Sequence, residues 1–175
     1  MTCFARPAGL ALLASVLLAG CATVPDASPW TSGRLSVRID TQGEAPARSL
    51  GTAFDLRGDG QRGELRLNSP FGTRLAAARW APGQAVLTTP EGEQRFESLD
   101  DLSYKALGEV LPLAALPDWL LGRPWAGAAH LALDDGFEQL GWRVVLARLG
   151  EGWIEARRAA PPGVVVRVKL DAMDR

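Results

Sequence analysis

One histidine, His130, and two cysteines, Cys3 and Cys21, limit the chemistry open to this 175-residue chain. A lone imidazole without a thiol cluster cannot assemble a tetrahedral metal site, so His130 reads as an ordinary strand-edge residue. Gly58-x-Gly60-x-x-Gly63 has the spacing of a dinucleotide fingerprint, in which glycines bring a helix N-terminus up to a pyrophosphate. Behind it, however, Glu64-Leu65-Arg66-Leu67 alternates as a strand, and the glycines read as a flexible hairpin turn. No Gly-x-Ser-x-Gly occurs to supply an esterase nucleophile. Asp100-Asp101 and Asp134-Asp135 fall at a helix start and a turn rather than as an acid–base pair. An enzyme is not expected. The reactive group that remains is the thiol of Cys21, which ends an apolar run near the amino terminus.

That run has the parts of an export signal: Met1–Arg6 as a weakly basic head, Gly9–Leu18 as an apolar stretch, and the small residues Ala19 and Gly20 before the cysteine. It is too short to span a hydrocarbon core of about 30 Å comfortably. Leu18-Ala19-Gly20-Cys21 resembles the lipobox of bacterial lipoproteins. The resemblance implies removal of residues 1–20, a diacylglyceryl thioether on Cys21 and an acyl group on its freed amine, with no other cofactor. Three acyl chains hold a membrane far more firmly than the marginal grip of one. Lipoproteins retained at the inner membrane usually carry aspartate after the acylated cysteine. Ala22 and Thr23 stand here instead, which by the same analogy implies delivery to the outer membrane, facing the periplasm.

Cleavage takes Arg6 from the 19 basic residues and none of the 20 acidic ones, leaving 18 against 20. Such a balance offers no basic patch for nucleic acid. Cys3 leaves with the signal and Cys21 is consumed, so no disulfide is expected and stability must come from packing. Residues 21–29 are small, polar and broken by Pro25 and Pro29, the composition of a lipidated tether. From residue 30 to 175 one domain is expected.

Its dominant signal is alternation. Leu35, Val37 and Ile39 share one side of a strand; Leu65 and Leu67 interleave with Glu64 and Arg66; Val164, Val166, Val168 and Leu170 alternate with more polar positions. Turn signals at Gly58-Asp59-Gly60, Ala81-Pro82-Gly83, Pro90-Glu91-Gly92, Asp134-Asp135-Gly136 and Pro161-Pro162-Gly163 imply an antiparallel meander. One segment departs from it. Ser98 with Asp101 forms a capping-box pattern, followed by Leu99, Leu102, Leu107, Val110 and Leu111 at roughly helical spacing. A second helical stretch, Leu113–Leu121, puts Leu113, Leu116, Trp119 and Leu120 on one stripe; Pro117 within it must start a fresh helix or kink it. Two short amphipathic helices in mid-sequence could cap one face of a curled sheet and enclose an apolar space.

Together with the lipobox, three further segments resemble the LolB family: Thr31-Ser32-Gly33-Arg34-Leu35, Leu67-Asn68-Ser69-Pro70-Phe71-Gly72, and Pro112-Leu113-Ala114-Ala115-Leu116-Pro117-Asp118-Trp119-Leu120-Leu121-Gly122. The likeness implies a mainly β fold with a few helices, a single antiparallel sheet curled into an incomplete barrel and lidded by short helices around an apolar cavity. It also implies a monomeric receptor that takes acylated client lipoproteins from the soluble carrier LolA and meets outer-membrane lipid. Two other functions stay open on the residues alone: a lipoprotein of this fold that binds another lipid or apolar ligand, and a structural or assembly lipoprotein with a filled core.

The site expectations follow. Pro70, Phe71 and Gly72 form the candidate membrane-insertion loop, because a phenylalanine at a hairpin tip is out of place unless it touches something apolar; the other option is that Phe71 folds back onto the sheet. Leu56, Leu116, Trp119, Leu120, Trp142 and Trp153 are the acyl-cavity candidates, against simple core packing. Trp142 alternates with Val144 and Leu146 and points inward. Trp153 shares its face with Glu155 and Arg157, which leaves its direction open. Leu56 stands where many relatives carry tryptophan. If Cys21 is the acylation site, Cys21→Ala abolishes labelling by radioactive palmitate and leaves the precursor unprocessed or misprocessed; persistent labelling of that variant would overturn the assignment.

Overall fold

A computed structural model of the protein describes residues 28–41, 43 and 46–172. Cys21, the signal and most of the tether lie outside them. Eleven strands form one sheet: β1 (Thr31–Ile39), β2 (Arg48–Gly58), β3 (Gly63–Asn68), β4 (Arg74–Ala81), β5 (Gln84–Thr89), β6 (Gly92–Phe96), β7 (His130–Leu133), β8 (Gly136–Gln139), β9 (Trp142–Val145), β10 (Trp153–Arg158) and β11 (Val164–Leu170). Their order is β6-β5-β4-β3-β2-β1-β11-β10-β9-β8-β7, and every neighbouring pair is antiparallel. The sheet does not close, because β6 and β7 are both edges. These edges are blunted in the usual ways: β6 is exposed and carries Glu93 and Arg95, and β7 is only 4 residues long.

Register carries the period-two pattern across the sheet. Leu35 opposes Val168 and Thr52, Val37 opposes Val166 and Leu50, and Phe54 opposes Leu67, so the alternating apolar residues of β1, β2, β3 and β11 meet on the inner face. Gly63 sits opposite Trp80, and a Cβ there would lie 2.4 Å from the indole; the glycine is what lets that ring lie across the strand. The Gly58–Gly63 segment is a hairpin turn, in which Asp59 Oδ1 accepts the backbone N–H groups of Gln61 at 2.7 Å and Arg62 at 2.9 Å. His130 starts edge strand β7 and meets Phe137 edge-on.

Between the two edges runs the connection that carries both helices. In α1 (Leu99–Leu107), Ser98 Oγ accepts from Asp101 N–H at 3.1 Å, the N-cap bond expected of this spacing, while its hydroxyl, rather than its backbone N–H, donates to the Asp101 carboxylate at 2.6 Å. Gly108 ends the helix at φ 73°, its N–H bonded to Tyr104 O. The second helical stretch is shorter than Leu113–Leu121. Residues 111–115 form turns, and α2 (Leu116–Leu120) begins afresh with Pro117 in its first turn, where the missing N–H has no partner to lose. Val110, placed on the helical stripe by its spacing, falls outside both helices and is 40% exposed.

On the outer face, Glu64 is buried and accepts from Arg57 at 2.9 Å and Arg66 at 2.7 Å. Both guanidinium groups lie over the Trp30 ring, 4.5 and 4.1 Å from its centroid, and fasten the start of the domain to β2 and β3. Burial pushes the Glu64 carboxyl up, but the Arg66 and Arg57 hydrogen bonds and charges outweigh it and hold it below the ordinary glutamate range. A lowered carboxylate contributes stability that is complete above its unfolded value of about 4.3 and drains as pH falls through the lower folded value. Urea midpoints measured from pH 6 down to 3 should therefore fall more steeply below about pH 4.3 in the native protein than in Glu64→Gln; parallel curves would remove this coupling.

Candidate functional site

The inner face of the sheet and the underside of the helical connection enclose an apolar interior. Trp119 stands at its centre on α2, with 3% of its surface exposed. Its ring meets Phe137 edge-on at 6.2 Å and tilts against Trp142 at 6.3 Å. The indole Nε1–H donates to Gln139 Oε1 at 2.9 Å. That amide is a hub: Oε1 also accepts from Trp125 N–H, and Nε2 donates to the carbonyls of Trp125 at 2.7 Å and Ala128 at 2.8 Å. One side chain of β8 thus ties both α2 and the 125–128 segment to the sheet.

Among the described residues, two adjoining cavities lie inside. One, of about 50 Å³, lies under α2 between Leu116, Trp119, Leu120 and Trp142 on one side and Ile154, Ala156 and Val168 on the other. The second, of about 90 Å³, lies under α1 and reaches Leu67, Ala78 and Leu87. Leu35, Val37, Leu65, Leu111 and Leu113 wall both, so the spaces are neighbours. None of these wall side chains is ionisable. Arg158 pairs with Glu109 at 2.7 Å and lies over the Trp142 ring, 5.6 Å from its centroid.

Both cavities are small, about 50 and 90 Å³. The expected open apolar space is therefore narrow. Buried leucine, valine and tryptophan side chains from the sheet and from α2 meet across it.

Of the cavity candidates, Leu116, Trp119, Leu120 and Trp142 line the space under α2. Leu56 is buried to 2% but packs in the core at the far end of β2, and it touches neither cavity. Trp153 requires a correction. It pairs in register with Lys169, and its neighbour Ile154 takes the inner face, so Trp153 points outward between Arg148 and Lys169. Alternation fixes this: Glu155 and Arg157 share its face, where Glu155 pairs with Arg157 and Arg167. The β1 and β11 wall residues were visible as alternating positions in the sequence, whereas Gln139 carries no such signal.

The β3–β4 hairpin shapes the other part of the site. Ser69 O accepts from Gly72 N–H at 2.9 Å, Ser69 N–H donates to Thr73 O at 2.8 Å, and Ser69 Oγ accepts from the N–H groups of Phe71 and Thr73. This is a three-residue hairpin loop: a turn with Pro70 second and Phe71 third, then Gly72 at φ 81°. Such a turn aims its third residue away from the strands. Phe71 is 95% exposed and does not fold back.

An open antiparallel sheet, curled over an apolar interior and lidded by two short helices, defines a lidded incomplete barrel. The family described as "Outer membrane lipoprotein LolB" matches residues 29–171. An outer-membrane lipoprotein LolB of Bordetella petrii is 35% identical over 173 residues, covering 88% of this chain and 86% of the relative. Relatives of the same name from Halorhodospira halophila (33% over 165 residues; 82% and 79% covered) and Chromobacterium violaceum (30% over 152; 79% and 81%) extend the likeness. The chain belongs to the LolB family of outer-membrane lipoproteins. Among its described residues no helix is long and apolar enough to cross a membrane.

Gln139→Leu tests the hub. It would leave Trp119 Nε1–H, Trp125 N–H and two carbonyls without their partner in a water-poor site, where each unmet group costs about 1–3 kcal/mol. Melting should drop by roughly 4 °C or more, and the fluorescence of Trp119 should shift as α2 loosens. A variant that melts within about 1 °C of the parent would show that the hub does not hold the lid.

Proposed function

We propose that the protein, fixed to the outer membrane through lipid on Cys21, accepts lipoproteins from a LolA-type periplasmic carrier and inserts them into the outer membrane. The observation that carries this reading is the uncharged, apolar wall shared by two adjoining cavities beneath a lid of two short helices. Exposed acyl chains cost about 0.8 kcal/mol for each CH₂ left in water, so a receiver of acylated proteins needs such a wall and no catalytic group. Acceptance also needs the interior to widen. The element to displace is small, because α2 is 5 residues long and is tied to β8 mainly through Trp119 and Gln139. Movement of α2 off the sheet joins the two cavities along Leu111 and Leu113. Nucleotide is not required. A tenfold difference in affinity between carrier and receptor is about 1.4 kcal/mol, less than burial of two further methylenes supplies.

Delivery is a separate step, and the Pro70-Phe71-Gly72 loop is where it meets the bilayer. A bare phenylalanine in water stabilises nothing in the fold, whereas burying it in lipid contributes about 1.5–3 kcal/mol. Phe71→Glu should melt with the parent, accept a radiolabelled lipoprotein from its carrier at the parental rate, and insert it into liposomes at least about ten-fold more slowly. Parental insertion by a stable Phe71→Glu protein would overturn the role of the loop. Failure of the parent itself to take client from the carrier would overturn the receptor reading in favour of a binder of some other apolar ligand.

A further inference from the structure

We propose that a groove on the outer face of the sheet, beside the Phe71 loop, binds the headgroup of an anionic phospholipid; the proposal rests on the membrane-contacting reading of that loop. The groove encloses about 920 Å³. Its floor is made of small residues, Gly51 and Ala53 of β2; a Cβ added at Gly51 would meet nothing within 4 Å. Pro70, the residue before the exposed Phe71, lines it on one side and Trp153 on the other. Register sets the row between them: Ala53 opposes Arg34, Arg34 opposes Lys169, and Lys169 opposes Trp153. At about 4.8 Å per strand, the row is roughly 14 Å long.

Charge identifies the occupant. Arg34 is exposed, and among the described residues its side chain has no ion-pair or hydrogen-bond partner. Lys169 Nζ donates to the Glu151 carbonyl, which leaves two of its three protons for another acceptor. Arg167 lies in the same groove but is matched by Glu155, and Asp171 is the one carboxylate in the lining. Unpaired Arg34 and the adjacent Lys169, which keeps two protons free, thus face a small-residue floor that leaves room for a phosphodiester. Trp153 adds an amphipathic ring of the kind that settles at headgroup level. The exposed apolar tip one residue beyond Pro70 favours a lipid over a soluble anion. With Phe71 in the acyl region, Arg34 and Lys169 stand at the depth of the phosphates, where each basic residue strengthens binding to anionic lipid.

The full-length lipidated protein, held in uncharged detergent, is titrated with dioctanoyl phosphatidylglycerol, with dioctanoyl phosphatidylcholine and with inorganic phosphate. Phosphatidylglycerol should bind at least about ten-fold more tightly than phosphatidylcholine of the same chains. The Arg34→Gln/Lys169→Gln variant should lose that preference while its phosphatidylcholine affinity, its melting temperature and its uptake of client from the carrier stay parental. Arg34→Gln alone, at an exposed and unpaired position, should lose part of the preference even if the double variant unfolds. Equal affinity for the two lipids, or a preference that survives Arg34→Gln and the double variant, overturns the proposal. Inorganic phosphate binding as tightly as phosphatidylglycerol makes this a free-anion site and overturns it as well. A double variant that keeps its lipid preference but loses client uptake assigns the face to an acidic carrier protein instead. Because lipid preference is read without any client, failure of the receptor reading leaves this result standing on its own.

Discussion

The ladder between β1 and β11, from Gly33 opposite Leu170 to Ile39 opposite Val164, is the constraint on which the rest depends. It joins the beginning and the end of the domain at the centre of the sheet. The two free edges are then β6 and β7, which are consecutive in the chain. Residues 97–129 must therefore cross from one edge to the other. Their apolar positions, Leu102, Leu111, Ala115, Trp119 and Leu120, bring them down over the inner face rather than around the outside. An open barrel with an attached lid follows from one pairing and one apolar connection. If the edges closed on each other, the connection would have no interior to cover.

This geometry separates two kinds of apolar surface. Inside, aliphatic and aromatic side chains fill the space until only about 50 and 90 Å³ remain, and the lid rests on them through Trp119 and the Gln139 amide. Outside, Phe71 stands on a loop whose N–H groups at Phe71, Gly72 and Thr73 all donate to Ser69, so its exposure is built in rather than a fault of packing. The interior and the tip are linked only through β3 and β4. A change at Phe71 therefore leaves the packed interior untouched.

Polar interactions do the positioning. Gln139 meets four groups at the lid, Glu64 gathers Arg57 and Arg66 under Trp30, and Ser98 with Asp101 starts α1. Each is short and specific, whereas the apolar contacts around them are numerous and interchangeable. The lid connection is tied to the sheet at two polar points, Gln139 of β8 beside α2 and Arg158 of β10 at Glu109, and by packing between them.

The sequence by itself determined the strands, the hairpin turns and the cap at Ser98, because period-two alternation, turn residues and capping patterns act within a few neighbours. The phenylalanine at the hairpin tip was legible as an anomaly on the same grounds. Only the tertiary structure decided that Phe71 points away from the sheet, that Trp153 lies outside beside Lys169, and that Leu56 is core rather than cavity wall. It alone joined Gln139 to Trp119, residues 20 positions apart that share no local pattern. It also decided how much of the apolar interior is filled. That quantity depends on how side chains from strands distant in sequence interdigitate, and hydrophobic periodicity records which face is buried but not how closely the faces meet.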